Sequence, residues 1–219
     1  MIVTVKMYNR NSSTYTNTHT HTPKRSVKHD LPPWSSWDYI LDLYNKCEHT
    51  KYHDESRLYF TVYFETGCRV SEGLQLTPDK FRWNDHAISV YNVPVLKRRK
   101  KESRNILIKI EDNPLAHELI DYVEACTSKY LLPRRLQFTR RVIGDQHTSR
   151  SNVYRKINSI DPSLWVHGLR GLRASHLVAE RGFDVFHLTR WFNWVSSDMA
   201  IHYAQSVDMA KALGVSDIP

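Results

Sequence analysis

The sequence predicts an α+β domain, mostly helical, with one small antiparallel sheet of three strands. Two observations carry that expectation. Apolar residues recur at three- and four-residue steps on both sides of a central stretch, and within that stretch they alternate at period two behind a turn at Asn84-Asp85. The composition agrees. In 219 residues, 41% hydrophobic and 11% aromatic content with only 7 glycines and 9 prolines is what one folded domain needs to bury a core.

Taken in order, residues 1 to 30 are polar and aperiodic after Met1 to Val5, which predicts a flexible arm. His19 and His21 alternate there without further ligands nearby, so a polar tail is favoured over a metal site. Folded structure is expected from residue 31. Ser35 or Ser36 caps a helix whose face is Ile40, Leu43, Tyr44 and Cys47, and a second helix runs from an Asp54 cap through Leu58, Phe60 and Tyr63 to Gly67. Phe81 to Trp83, Ala87 to Leu96 and Arg104 to Ile110 read as strands, with Pro94 requiring an edge or a bulge. Leu115 to Cys126 and the segment through Val153, Ile157 and Ile160 read as helices, joined by a loop bearing Arg134, Arg135, Arg140 and Arg141. Three more helices follow, from Val166 to about Gly182, Asp184 to Asn193, and Asp198 to Leu213.

Lys and Arg number 31 against 23 Asp and Glu, a formal charge of +8 that gathers in patches. A polyanionic partner follows from that excess. Cys47, Cys68 and Cys126 form no Cys-x-x-Cys pair, which fits a reducing compartment, and no apolar run is long enough for a membrane span. A cytoplasmic protein, associated with the nucleoid when bound to DNA, is the expectation.

Three short stretches concentrate chemistry. Thr66-Gly67-Cys68-Arg69-Val70-Ser71-Glu72 puts an arginine at a helix junction, three residues before a carboxylate. His167-Gly168-Leu169-Arg170 sets imidazole and guanidinium at the start of a helix, beside the positive end of its dipole. Near the carboxyl end Trp194 stands nine residues before Tyr203, while Trp191 joins Val185, Leu188 and Phe192 on a packing face. Between the first two stretches lies the basic run Lys97-Arg98-Arg99-Lys100-Lys101 at a hairpin tip.

In this order and spacing, the motifs resemble those of the tyrosine recombinases, the family of phage integrases and chromosome-dimer resolvases, over residues 31 to 205. The resemblance implies a mostly helical catalytic domain in which Arg69 and Arg170 clamp a phosphate, Glu72 supports Arg69, His167 is the first histidine, and Tyr203 is the nucleophile. Trp194 takes the place of a second histidine, as in Cre-like members; its indole N–H can donate to a phosphate oxygen but cannot move a proton. Lys97 is preferred over Lys100 and Lys101 as the general acid. Gly171 and Arg173 depart from the family pattern, which has histidine and an apolar residue there.

The implied reaction is site-specific cutting and rejoining of double-stranded DNA through a 3′-phosphotyrosine, without metal, ATP or other cofactor. Arg98, Arg99, Lys100, Lys101, Arg134, Arg135, Arg140, Arg141, Arg150, Arg155 and Lys156 are the expected phosphate contacts. A tetramer on paired DNA sites, with the helix at about 205 to 214 exchanged between protomers, is the implied assembly. No amino-terminal core-binding domain is readable. The chain is therefore either a minimal recombinase that relies on another DNA-binding protein, or a fragment. The rival readings are a type IB topoisomerase-like nicking-closing enzyme and a non-catalytic DNA-binding regulator on the same scaffold.

Overall fold

The structure is a computed structural model and describes residues 36–96, 102–136 and 141–212. The expectations placed on residues 1 to 30, on the run Lys97 to Lys101 and on Arg140 lie outside these residues.

Helix α1 (Trp37–Asn45) starts where Ser36 accepts a hydrogen bond from the Tyr39 N–H, and it turns Ile40 and Leu43 inward. A single 3-10 turn, Lys46–His49, then buries Cys47. Helix α2 (His53–Thr66) begins two residues earlier than an Asp54 cap would have it. Tyr52 stands at the cap position without a side-chain capping hydrogen bond, and Asp54 sits inside the first turn, where its charge faces the helix dipole favourably. From Tyr59 to Thr66 every residue of α2 is buried, so this helix is the axis of the core. It stops at Gly67, whose φ of 53° reverses the chain into the short helix α3 (Val70–Gly73).

Strands β1 (Phe81–Trp83), β2 (Ala87–Val95) and β3 (Glu102–Lys109) form the expected antiparallel sheet in the order β1-β2-β3. Pairs such as Phe81 with Val90 and Ile88 with Ile108 set its register. The pairing shifts between Val90 and Val93, where Asn92 takes a φ of 52°. Pro94 lies past this bulge, opposite Ser103 of β3 and beyond the end of β1, so its missing N–H deprives no neighbouring strand.

Helix α4 (Ala116–Glu124) packs Leu119 and Val123 inward. The segment expected as a basic loop is a second, two-stranded antiparallel sheet, β4 (Pro133–Arg135) with β5 (Val142–His147). Exposed arginines on β4 obscure the alternation that marks a strand in sequence. Helix α5 (Arg150–Ile160) is capped by the Ser149 hydroxyl, which accepts from the Asn152 N–H. Helix α6 (Val166–Arg181) is almost wholly buried and ends at Gly182, with φ of 64°. Helices α7 (Val185–Phe192) and α8 (Asp198–Ala212) close the chain against it.

One contiguous apolar cluster links α1, α2, the three-stranded sheet and α4 to α8. Within it lies the explanation of Arg173. Its guanidinium, 3% exposed as a residue, pairs with the Glu65 carboxylate at 2.9 Å, and Asn113 donates to the same oxygen at 3.1 Å. A charge in the α6 core is tolerated because its partner is buried with it; removing one side of such a pair costs about 3–5 kcal/mol. No helix among the described residues is long and apolar enough to cross a membrane.

Candidate active site

Arg69 is fixed by the turn that Gly67 makes. It occupies the N-cap of α3, and Glu72 answers it twice: one carboxylate oxygen accepts from the Arg69 backbone N–H at 2.9 Å, the other from its Nη1 at 2.9 Å. Glu72 is 1% exposed, whereas the Arg69 side chain keeps 24% of its surface open. The carboxylate is therefore spent on holding the guanidinium, and the guanidinium faces outward with charge to offer.

Arg170 comes in from α6 behind it. Its Nη1 donates to the Gly67 carbonyl and its Nη2 to the Phe192 carbonyl at 3.4 Å, while Glu72 lies 3.9 Å from Nη1. Gly67 cannot readily be replaced, because its φ is positive and a Cβ there would meet Phe192 at 2.7 Å and Trp191 at 2.9 Å. Burial lowers the Arg170 pKa to about 9, with Arg104 and then Arg69 adding repulsion and Glu72 opposing; the group stays charged at neutral pH. Two like charges and one opposite charge act on Arg170. That surplus suits the site to an anion.

Arg104 was not singled out from the sequence. It points inward from β3, on the same face as Ile106 and Ile108, and is 6% exposed. Its Nη1 donates to the Trp191 carbonyl at 2.5 Å and its Nη2 to the Thr66 carbonyl at 3.2 Å, with the guanidinium over the Trp191 ring. It thus ties the sheet to the ends of α2 and α7, the two helices from which Arg69 and Trp194 depart. The sequence did carry a sign of it: a basic residue at an inward position of an alternating strand needs a buried partner.

His167 is exposed in the first turn of α6, whose start has no side-chain cap. It lines a cleft of about 420 Å³ with Arg69, Ser71, Leu96, Arg150 and Tyr154. Leu96, which follows the end of β2 and immediately precedes Lys97 in sequence, is part of this lining.

Asn193, at φ of 51°, ends α7 and delivers Trp194. Phe192, Trp194 and Tyr203 then form a ladder of near-parallel rings, with centroids 4.6 Å and 5.9 Å apart at successive steps. The Arg170 guanidinium covers the other end, 4.5 Å from the Phe192 ring. Tyr203, on α8, is half-buried; burial pushes its phenol pKa up and Arg170 pulls it back. Trp191 packs in the core and donates to the Leu107 carbonyl at 3.2 Å, as its place on the α7 face predicts.

Arg69, Glu72, Arg170, Trp194 and Tyr203 thus come together from α3, α6, the α7–α8 turn and α8, with His167 on the adjoining cleft. Among the expected phosphate contacts, Arg150 shares that cleft, Arg155 is exposed and bonds Asn152, and Arg141 is exposed ahead of β5. Arg134 is engaged with Gln146 at 2.9 Å and Arg135 lies 3.7 Å from Glu55. Lys156 is not at the surface. It is 5% exposed, 2.9 Å from a Glu55 oxygen and 3.4 Å from the Tyr52 ring centre, which removes it from the phosphate-facing set.

Among solved structures, the chain is similar to the XerH site-specific recombinase bound to a palindromic difH substrate, at 17% identity and a TM-score of 0.59, covering 87% of this chain and 55% of that one. It is similar also to the XerA recombinase, at 16% identity, a TM-score of 0.56 and coverage of 90% and 67%. A third is a lambda integrase dimer bound to a COC′ core site, at 17% identity, a TM-score of 0.52 and coverage of 83% and 50%. The chain spans about half the length of the XerH and lambda integrase chains. These likenesses concern the fold. No curated protein matches by sequence. The sequence profile described as the phage integrase family matches residues 36–209, and with that match over most of its length the chain belongs to this family.

Proposed function

We propose that the chain is the catalytic part of a site-specific DNA recombinase that cuts and rejoins strands through a covalent 3′-phosphotyrosine on Tyr203. The observation that carries this reading is the convergence of Arg69 and Arg170 on one buried carboxylate, Glu72, with the Tyr203 ring joined to the same cluster through Trp194. Fixed guanidinium groups are what a phosphodiester needs, because the charge that grows on its non-bridging oxygens calls for preorganised donors.

In the proposed step the Tyr203 oxygen attacks phosphorus and the bond to the 5′ oxygen breaks. The phenol proton passes to His167, and the leaving oxygen takes a proton from Lys97. Burial keeps the Tyr203 phenol neutral before DNA arrives, which makes a base or a strongly positive field necessary. Trp194 donates its indole N–H to a phosphate oxygen; that N–H has no acceptor among the described residues. A 5′ hydroxyl from a second duplex reverses the step onto a new partner. Two of the similar structures hold such proteins on DNA, and one lambda integrase structure is a tetramer on a Holliday junction, which supports assembly of four protomers here.

A nicked suicide duplex tests the proposal. A covalent adduct that disappears in Tyr203→Phe supports it, and binding without adduct under any condition leaves the regulator. Relaxation of supercoils at no defined site, without strand exchange, assigns the chemistry to a topoisomerase instead.

A further inference from the structure

Gly171 follows Arg170 in the interior of α6, and its φ is not positive, so the backbone there does not demand glycine. Glycine in mid-helix is destabilising relative to alanine. Its presence needs a reason in packing. A Cβ built on Gly171 would stand 3.1 Å from the Tyr203 hydroxyl oxygen and 3.7 and 3.8 Å from ring carbons Cε1 and Cζ. The hydroxyl end of Tyr203 therefore rests against the bare side of α6, one residue from Arg170.

The phenol is supported on one face of its ring. Its ring stacks on Trp194 with planes 13° apart, Trp194 stacks on Phe192 at 12°, and Phe192 is 1% exposed between that stack and the Arg170 guanidinium. A methyl group at position 171 must then be accommodated by tilting or sliding the phenol.

We propose that Gly171 is a positioning residue: by leaving its Cα bare it lets the Tyr203 hydroxyl settle beside Arg170. This rests on the reading of Tyr203 as nucleophile. It also gives a physical meaning to the departure at this position, since histidine, the residue of many relatives, does not fit beside the tyrosine as it is placed here. Displacements well below 1 Å matter in an in-line attack; a misplacement of about 1 Å can cost on the order of a hundredfold in rate.

Gly171→Ala separates positioning from folding, because alanine favours the helix. Single-turnover adduct formation on the suicide duplex is expected to fall about tenfold or more at saturating DNA, with DNA affinity within about twofold of wild type and no loss in thermal midpoint. A 5′-bridging phosphorothiolate, whose leaving group needs no proton, is expected not to restore the rate. An alanine variant that cleaves as fast as wild type overturns the proposal, as does full rescue by the phosphorothiolate. If wild type forms no adduct, the nucleophile reading fails by itself, and the contact is read from the ¹³Cζ resonance of Tyr203. That resonance shifts in Gly171→Ala while Tyr154 stays put if the contact exists; an unmoved Tyr203 resonance rejects it.

Discussion

The indole of Trp194 lies stacked on the phenol of Tyr203, centroids 5.9 Å apart and planes 13° from parallel, so two residues nine apart in sequence share one aromatic ladder. Trp194 can serve this site in two ways, through the face that supports the tyrosine and through the N–H proposed for the phosphate.

Three substitutions separate these roles. Trp194→Phe keeps a stacking face and loses the donor, Trp194→His keeps a donor, and Trp194→Ala loses both. Stacked pairs contribute about 0.5–1.5 kcal/mol beyond burial and a phosphate-type donor about 2.7–4 kcal/mol. Adduct rates should therefore fall in the order wild type, His, Phe, Ala, with Phe down by roughly a hundredfold. A Phe variant as fast as wild type excludes the donor role; a Phe variant as slow as Ala excludes the stack.

Alkaline pH should unfold this domain by way of its tyrosines. Tyr63 and Tyr59 are held neutral by burial, and the phenols of Tyr44 and Tyr122 are raised by burial and by donating to Glu118. Each has a folded pKa above its unfolded value of about 10, so its contribution is complete below pH 10 and is lost as pH climbs toward the folded values. The last phenolate absorbance should appear together with loss of the circular dichroism signal above pH 10. Complete ionisation of all 12 tyrosines with the helical signal intact contradicts the burial of these groups.

Much of the geometry of the candidate site is legible in the sequence, and the exceptions have physical causes. The step of three from Arg69 to Glu72 is short enough for a carboxylate to reach back over one helical turn, and it does. The alternation around Ile106 and Ile108 located β3, and the same alternation pointed Arg104 inward, though its targets, the carbonyls of Thr66 and Trp191, lie 38 and 87 residues away in sequence. Lys156 misled because Arg155 beside it is exposed; yet it stands three residues after Val153 and four before Ile160, on the buried side of α5. The depth of Arg170, 2% exposed, depends on Gly67 and Phe192 arriving from two other elements, and no local pattern encodes that.

Replacing Arg104 should damage both fold and site. Arg104→Met fills similar space but leaves the Thr66 and Trp191 carbonyls without their donor, at about 1–3 kcal/mol for each group left unsatisfied. Urea denaturation should show a loss of that order. Adduct formation should fall further than the population of folded protein explains, because the ends of α2 and α7 lose the tie that Arg104 makes between them and the sheet. Arg104→Lys, which can reach one carbonyl, should recover part of both. Cleavage at the wild-type rate in a folded Arg104→Met protein refutes the link between sheet and site.

Salt titrations should sort the basic residues of α5. Each phosphate that a side chain neutralises adds about 0.9 to the slope of log affinity against log salt on duplex DNA. Arg150 lines the cleft with Arg69 and His167, and Arg155 is exposed five residues further along the same helix, so Arg150→Ala and Arg155→Ala should each lower the slope by about one unit while the fold persists. Lys156→Ala should behave in the opposite way. Its ammonium is committed to Glu55 and to the face of Tyr52, so its loss should lower the urea midpoint and leave the salt slope unchanged. A slope reduced by Lys156→Ala, in protein as stable as wild type, would show that the lysine leaves its pocket when DNA binds.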